Sequence, residues 1–262
     1  MGGVSTALFF LEPNPFESDK LIFLLIVGLS MWVIYTIDHL FDGLKSKGQS
    51  GVFRYDFLYR YRIFFWTSSF LITAFILWLI AQNIDKLFIS NGFYITPVLA
   101  LYFILKMRKK LNPFLKMGIV AFVVAMVMVL IYQEESLFTG LFQFDFLMMV
   151  LLVFFNQLVL ETFEIQSGDF ENNTFNNPET YKQLASRVFI WLCVLLGISL
   201  VLNPFAWPNI LTLLLVGIAL KCILRYETTF KRNELYRFWA DFVFVLIWPV
   251  YTLFMELFKV LI

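Results

Sequence analysis

The sequence predicts an all-α fold, a polytopic bundle of transmembrane helices with about eight spans. Three observations lead there. Hydrophobic residues make up 60% of the chain and charged residues only 15%. Soluble domains carry roughly 25% charged residues, so this chain has too few charges to cover a water-exposed surface. Apolar runs recur near 21–41, 61–81, 90–107, 113–132, 142–164, 182–202, 207–224 and 236–258, each close to the ~20 residues that cross a hydrocarbon layer as a helix. Finally, Lys and Arg concentrate on alternate connections between these runs.

In chain order, residues 1–20 read as a surface or re-entrant segment, and 21–262 as a single transmembrane helical domain. The opening residues are apolar but lack the basic region of a cleavable signal peptide. Gly2 and Thr6 fit the short myristoylation pattern, an anchor that a chain with many spans does not need. The second run carries no charge from 63 to 81. Polar breaks at 82–86, 106–110, 133–136, 166–182, 203–208 and 225–237 separate the runs. Pro113 stands where a helix can start, and Pro204 and Pro208 mark a tight turn.

Orientation follows from the basic residues, which favour the cytoplasmic side. Lys45, Lys47, Arg54, Arg60 and Arg62 join the first two runs, and Lys106, Arg108, Lys109, Lys110 and Lys116 the third and fourth. Lys182 and Arg187 follow the fifth run, and Lys221, Arg225, Lys231, Arg232 and Arg237 lie between the last two. That places 17 on one side, against Lys20, Lys86 and Lys259 on the other. The expected chain is therefore a multi-pass protein of an inner or plasma membrane, with both termini outside. A net charge of +1 suggests no nucleic-acid partner, and the 33 Phe suit lipid contact. Cys193 and Cys222 lie in apolar runs without metal-ligand spacing and read as small hydrophobes.

Ionisable residues gather at the cytoplasmic helix ends. The first run closes in Tyr35-Thr36-Ile37-Asp38-His39-Leu40-Phe41-Asp42. Asp38 and Asp42, four apart, share a helix face. Their like charges repel unless a cation or a proton lies between them, and carboxylate oxygens are natural ligands for Mg²⁺. The plainer alternative is two solvated acids at a helix end, paired with Lys45. In the fifth run Gln157, Glu161 and Glu164 recur on one face, beside Asn156, with Asp169 and Glu171 following. Acids at membrane depth are costly and usually face a cavity or a partner. A simple interhelical contact is the alternative, disfavoured for Glu161 because it lies inside the apolar run.

Basic residues flank both motifs. Arg60 and Arg62 alternate with Tyr59 and Tyr61, Lys106 ends the third run, and Lys116 lies one turn into the fourth. Lys109 and Lys110 read as ordinary positive-inside charge, whereas Lys116 sits where a cation could face the bundle interior. His39, the only histidine, reads as hydrogen-bonded to its acidic neighbours more than as a base or ligand. Asp241 reads as the ion-pair partner of Arg237, four residues before it. Phosphate-loop, nucleophile-elbow and zinc-protease motifs are absent from the sequence.

Two acidic motifs at helix ends, three complete spans apart and followed by three more, resemble the UbiA superfamily of intramembrane prenyltransferases. The resemblance covers the order of elements over roughly 21–258. The family typically has nine helices, so its first would be missing or reduced to the segment before Lys20. Its first motif, N-D-x-x-D-x-x-x-D, is represented only by Asp38-x-x-x-Asp42, with Ile34 and Tyr35 at the leading positions. Its second, Asp-rich motif looks like Glu161, Glu164 and Asp169, and its Y-P-x-x-K resembles Tyr102-Phe103-Ile104-Leu105-Lys106.

The resemblance implies Mg²⁺ held by Asp38, Asp42, Glu161, Glu164 and Asp169. It also implies a prenyl diphosphate neutralised by Arg60, Arg62, Lys106 and Lys116. The isoprenyl group would pass to a small lipophilic or aromatic acceptor within the membrane. With half of the first motif replaced, the expected chain is a divergent one-metal enzyme or a relative that binds the lipid diphosphate without turnover. The competing class is a cation- or proton-coupled transporter, against which stand the clustering of the acids at one face and the lack of an inverted repeat. A phosphatidyl-transferring enzyme is a third class, and its D-G-x-x-A-R signature is missing.

Overall fold

A computed structural model describes residues 18–49, 53–83, 96–105, 112–132, 144–167, 177–203, 207–231 and 235–261. These are helical, with no strand among the described residues. The chain divides into two compact units, one within Pro13–Leu111 and the other within Asn112–Ile262. Of the expected surface segment, 1–17 lies outside the described residues, while 18–20 already belong to the first helix.

The first unit holds α1 (Ser18–Ser46), α2 (Phe53–Arg60), α3 (Arg62–Asn83) and α4 (Thr96–Leu105). Ile22, Ile26, Leu29, Val33 and Ile37 recur at helical spacing and make one face of α1. That face packs on Ile72, Ile76, Leu79 and Ile80 of α3 in an antiparallel pair. Lipid tails are as apolar as these side chains, so close van der Waals packing holds the pair together, not exclusion of water.

The connection between α1 and α3 departs from the expected loop. Lys47 and Gly48 take positive φ of 53° and 71°, and the Gly48 N–H donates to the Gly43 carbonyl at 3.1 Å, capping α1. The chain then runs back as α2 against α1. A Cβ on Gly43 would meet the Tyr55 carbonyl oxygen at 2.7 Å, and one on Gly48 the Tyr59 ring at 2.4 Å. Two glycines thus let α2 lie close enough to bring Tyr55 beside the end of α1.

The second unit holds α5 (Pro113–Tyr132), α6 (Phe144–Ser167), α7 (Pro178–Leu202), α8 (Trp207–Arg225), α9 (Glu227–Lys231), α10 (Leu235–Val245) and α11 (Ile247–Leu261). Asn112 and Asn177 cap α5 and α7, accepting the N–H groups of Phe114 at 2.9 Å and Glu179 at 3.0 Å, each with Pro at the first helical position. The cap starts α7 at Pro178, four residues before the expected 182. Helix α6 is central. Met148, Met149, Leu152, Phe155, Leu158, Val159 and Phe163 are buried on several sides of it, and it packs on α5, α7, α8 and α10.

The last expected span, 236–258, is interrupted. Pro249 has no N–H to donate, and one turn earlier the Leu246 N–H reaches both the Phe242 and Val243 carbonyls, at 3.1 and 3.2 Å. α10 and α11 meet at this break.

Six helices are long and apolar enough to cross a membrane: Leu25–Leu44, Arg62–Gln82, Phe146–Ile165, Pro178–Leu202, Trp207–Arg225 and Leu235–Leu257. They coincide with six of the eight expected spans. At the third position the described residues form the shorter apolar helix Thr96–Leu105, and at the fourth stands α5, Pro113–Tyr132. Large apolar side chains lie open on the long helices, among them Ile63, 77% exposed, and Val201, 80% exposed. Apolar faces of this extent belong against lipid or protein, not water. The chain is an integral membrane protein.

Candidate functional site

The last turns of α1 carry the acidic cluster. On a helix of 3.6 residues per turn, Asp38 and Asp42 fall one above the other and His39 lies next to both. One ligand-capable atom from each of Asp38, His39 and Asp42 lies within 4.8 Å of the other two. His39 Nδ1 stands 4.0 Å from Asp42 Oδ2. The histidine is buried, edge-on to Tyr35 with centroids 4.1 Å apart, and tilted toward Tyr55 of α2 at 5.3 Å.

Helix α4 supplies a further group. The Tyr102 hydroxyl donates to Asp38 Oδ1 at 2.8 Å. A phenol donating to a carboxylate fixes the direction of the acceptor oxygen. Tyr102 is itself buried. Around it, Phe41 of α1 contacts Trp66 of α3 at 5.8 Å and Phe103 of α4 at 6.0 Å. The cluster therefore sits among three helices of the first unit, walled by aromatic rings.

The donor set fits a hard cation. Mg²⁺ is commonly bound through one or two carboxylates, keeping its waters and substrate phosphates for the rest, and Asp38 and Asp42 are such a pair. The imidazole is a donor better suited to transition metals. Its placement against Tyr35 and Asp42 suits a neighbour that orients the acids.

The other sequence-selected residues divide by position. Arg60 and Arg62 are exposed, and the Arg62 guanidinium lies 4.7 Å over the Tyr59 ring. Lys106 and Asp169 lie outside the described residues. In the second unit, Lys116 is half-buried in the second turn of α5, its backbone N–H bonded to the Asn112 carbonyl at 2.9 Å. Glu161 is half-buried on α6 and within electrostatic reach of the buried Tyr181 on α7.

No family model, curated protein or solved structure matches the chain.

One sequence assignment is corrected. Arg237 Nη2 donates to Glu164 Oε1 at 2.8 Å, both side chains largely buried, and Asp241 instead stands exposed on α10. A largely buried Arg237 is matched by the largely buried Glu164, in keeping with the cost of leaving buried charge unpaired. Stacking of Phe163 on Tyr236, centroids 4.6 Å apart and planes 8° from parallel, sets α6 and α10 in the register that the pair needs. Glu164 is thus an interhelical partner of Arg237 within the second unit. The fragment Tyr102-x-x-x-Lys106 pointed to the tyrosine that meets Asp38, but its role as hydrogen-bond donor had no signal in the sequence. Tyr55 had none either.

Proposed function

We propose that the chain is a divergent, UbiA-like, Mg²⁺-dependent prenyltransferase, moving an isoprenyl group from a prenyl diphosphate to a lipophilic or aromatic acceptor within the membrane. The observation that carries this reading is the hydrogen bond from Tyr102 to Asp38. It joins the first acidic motif to the tyrosine of the Y-x-x-x-K segment, two pieces that the resemblance places in one diphosphate site. Mg²⁺, when bound, supplies positive charge against the diphosphate as it leaves. Asp38 and Asp42 would hold it, and Tyr102 would keep the Asp38 carboxylate aimed. Glu161 and Glu164, the residues the resemblance assigns to the second motif, both lie on α6 in the second unit, where Glu164 pairs with Arg237. Arg60, Arg62, Lys106 and Lys116 are the cations assigned to the diphosphate. The aromatic rings beside Asp38 suit a prenyl tail and exclude water from an allylic cation.

The test is binding of geranylgeranyl diphosphate to purified protein in nanodiscs, with Mg²⁺ and with chelator. Metal and diphosphate should each require the other, since the phosphates complete the metal's shell. Asp38→Ala and Asp42→Ala should each abolish the metal-dependent part. Lys116→Ala should weaken binding while leaving the metal requirement in place. Folded protein that binds no prenyl diphosphate at any Mg²⁺ level refutes both the enzyme and a non-catalytic binder.

A transporter is the second reading, favoured by Asp241. Asp241 lies within the Leu235–Leu257 span, a few residues before the α10–α11 break. Acids beside interrupted helices are a common feature of cation and proton pathways. Cation flux in proteoliposomes that disappears in Asp241→Asn would move the assignment to transport.

A further inference from the structure

We propose that the exposed face where α7 and α8 meet at Lys221 is a phosphate site for the headgroup of an anionic phospholipid, with Lys221 as its central cation. Lys221 lies within the Trp207–Arg225 span, half-buried. Among the described residues its ammonium makes one hydrogen bond, to Ser186 Oγ at 2.5 Å, and has no ion pair. Ser186 in turn donates to the Lys182 carbonyl at 2.8 Å. The acids nearest in sequence are already engaged, since Glu179 and Glu227 both pair with Lys182, at 3.0 and 2.5 Å. A charged group in an apolar span is retained when a counter-charge meets it. Among the described residues a single neutral acceptor meets the ammonium, and its remaining donor capacity is open to a ligand.

The setting selects the ligand. Helices α7 and α8 are antiparallel and in close contact, for a Cβ on Gly217 would stand 3.1 Å from Leu192 and 3.3 Å from Phe189. Arg187 is exposed one residue after Ser186 on α7, and Arg225 is exposed one turn after Lys221 on α8. Below Arg187 the exposed residues of α7 are Ile190, Trp191 and Val194, and below Arg225 those of α8 are Cys222 and Ile218. Three cations thus crown two apolar stripes that run toward the middle of the bilayer. A phosphate bearing acyl chains matches both parts. The exposed Trp191 is of the type enriched at the headgroup level. This site is separate from the Asp38 cluster and stands whether or not the chain transfers prenyl groups.

The experiment compares wild type, Lys221→Met and Lys221→Arg, as full chains, in nanodiscs of phosphatidylcholine with and without phosphatidylglycerol. Retained lipid is read by native mass spectrometry and thermal stabilisation by the shift in melting temperature. Wild type and Lys221→Arg should retain phosphatidylglycerol. Lys221→Met should bind it about five-fold or more weakly, one basic residue's share of attraction to an anionic headgroup. A parallel arm measures inorganic phosphate binding in neutral detergent. Lys221-dependent binding there, without a lipid preference, supports the phosphate site and assigns it to a soluble phosphate. If Lys221→Met does not fold, Arg187→Gln/Arg225→Gln decides, and it should lose part of the lipid preference. Lipid preference unchanged in whichever variant folds, with no phosphate binding, overturns the proposal.

Discussion

The Tyr102 hydroxyl helps to order the acidic cluster on α1. Tyr102 reaches Asp38 from another helix, so its removal should loosen the carboxylate without touching the metal-holding oxygens. Tyr102→Phe is expected to weaken Mg²⁺-dependent binding of prenyl diphosphate by about ten-fold or more, the usual cost of losing a group that orients a ligand. Titration calorimetry across Mg²⁺ concentrations checks it, and an unchanged affinity would leave Tyr102 a packing residue. Glu164 and Arg237 support a second expectation. Arg237→Ala strands a largely buried carboxylate and should destabilise by about 3 kcal/mol, while Arg237→Met/Glu164→Gln together should cost clearly less. Thermal unfolding of both variants in one detergent compares them. Asp38 and Asp42 were legible because a four-residue spacing on a helix is fixed by geometry. The partner of Arg237 was not. Seventy-three residues separate it from Glu164, and local spacing pointed to Asp241.

At the scale of elements, charge-free length carried the reading of the sequence. The six long spans were legible because runs such as 63–81 have no other stable place than lipid. Helix α2 was not, because Phe53–Arg60 mixes aromatics with Arg54, Asp56 and Arg60 and has no apolar run. What makes it possible lies in the residues before it, where Gly43 and Gly48 remove the Cβ atoms that would hold it off α1. Gly48→Ala combines a positive φ with a clash against the Tyr59 ring and should cost at least about 1–2 kcal/mol. It should also move Tyr55 away from His39. Limited proteolysis between α1 and α2, faster in the variant than in wild type, is the readout. Rapid cleavage in neither would show that the turn tolerates a side chain. The α10–α11 break was signalled by Pro249, but within an unbroken apolar run it read as one span.

For the molecule as a whole, the alternation of basic connections predicts the orientation. Single cysteines placed at Ser46 and Gln166 should react with impermeant reagents from the cytoplasmic side only, and one at Ser136 from the outside only. Labelling of Ser46 and Ser136 from the same side would refute the eight-span orientation. Within the second unit, the end of α6, the start of α7, the end of α8 and the start of α10 carry Glu164, Lys182, Lys221 and Arg237 in cross-helix contacts. Polar residues thus collect at one end of this bundle, as an alternating path through a bilayer requires.

The bond between Glu164 and Arg237 also orders events during synthesis. Helix α6 leaves the ribosome well before α10, so for the length of α7 and α8 its acid travels without the cation that will match it. A chain cut short after α8 never supplies Arg237 to that acid. The insertion machinery should therefore hold α6 longer than an all-apolar helix of equal length, releasing it only when α10 arrives. Arg237→Ala would prolong that hold, and crosslinking of α6 to the insertase in staged translation products would measure it.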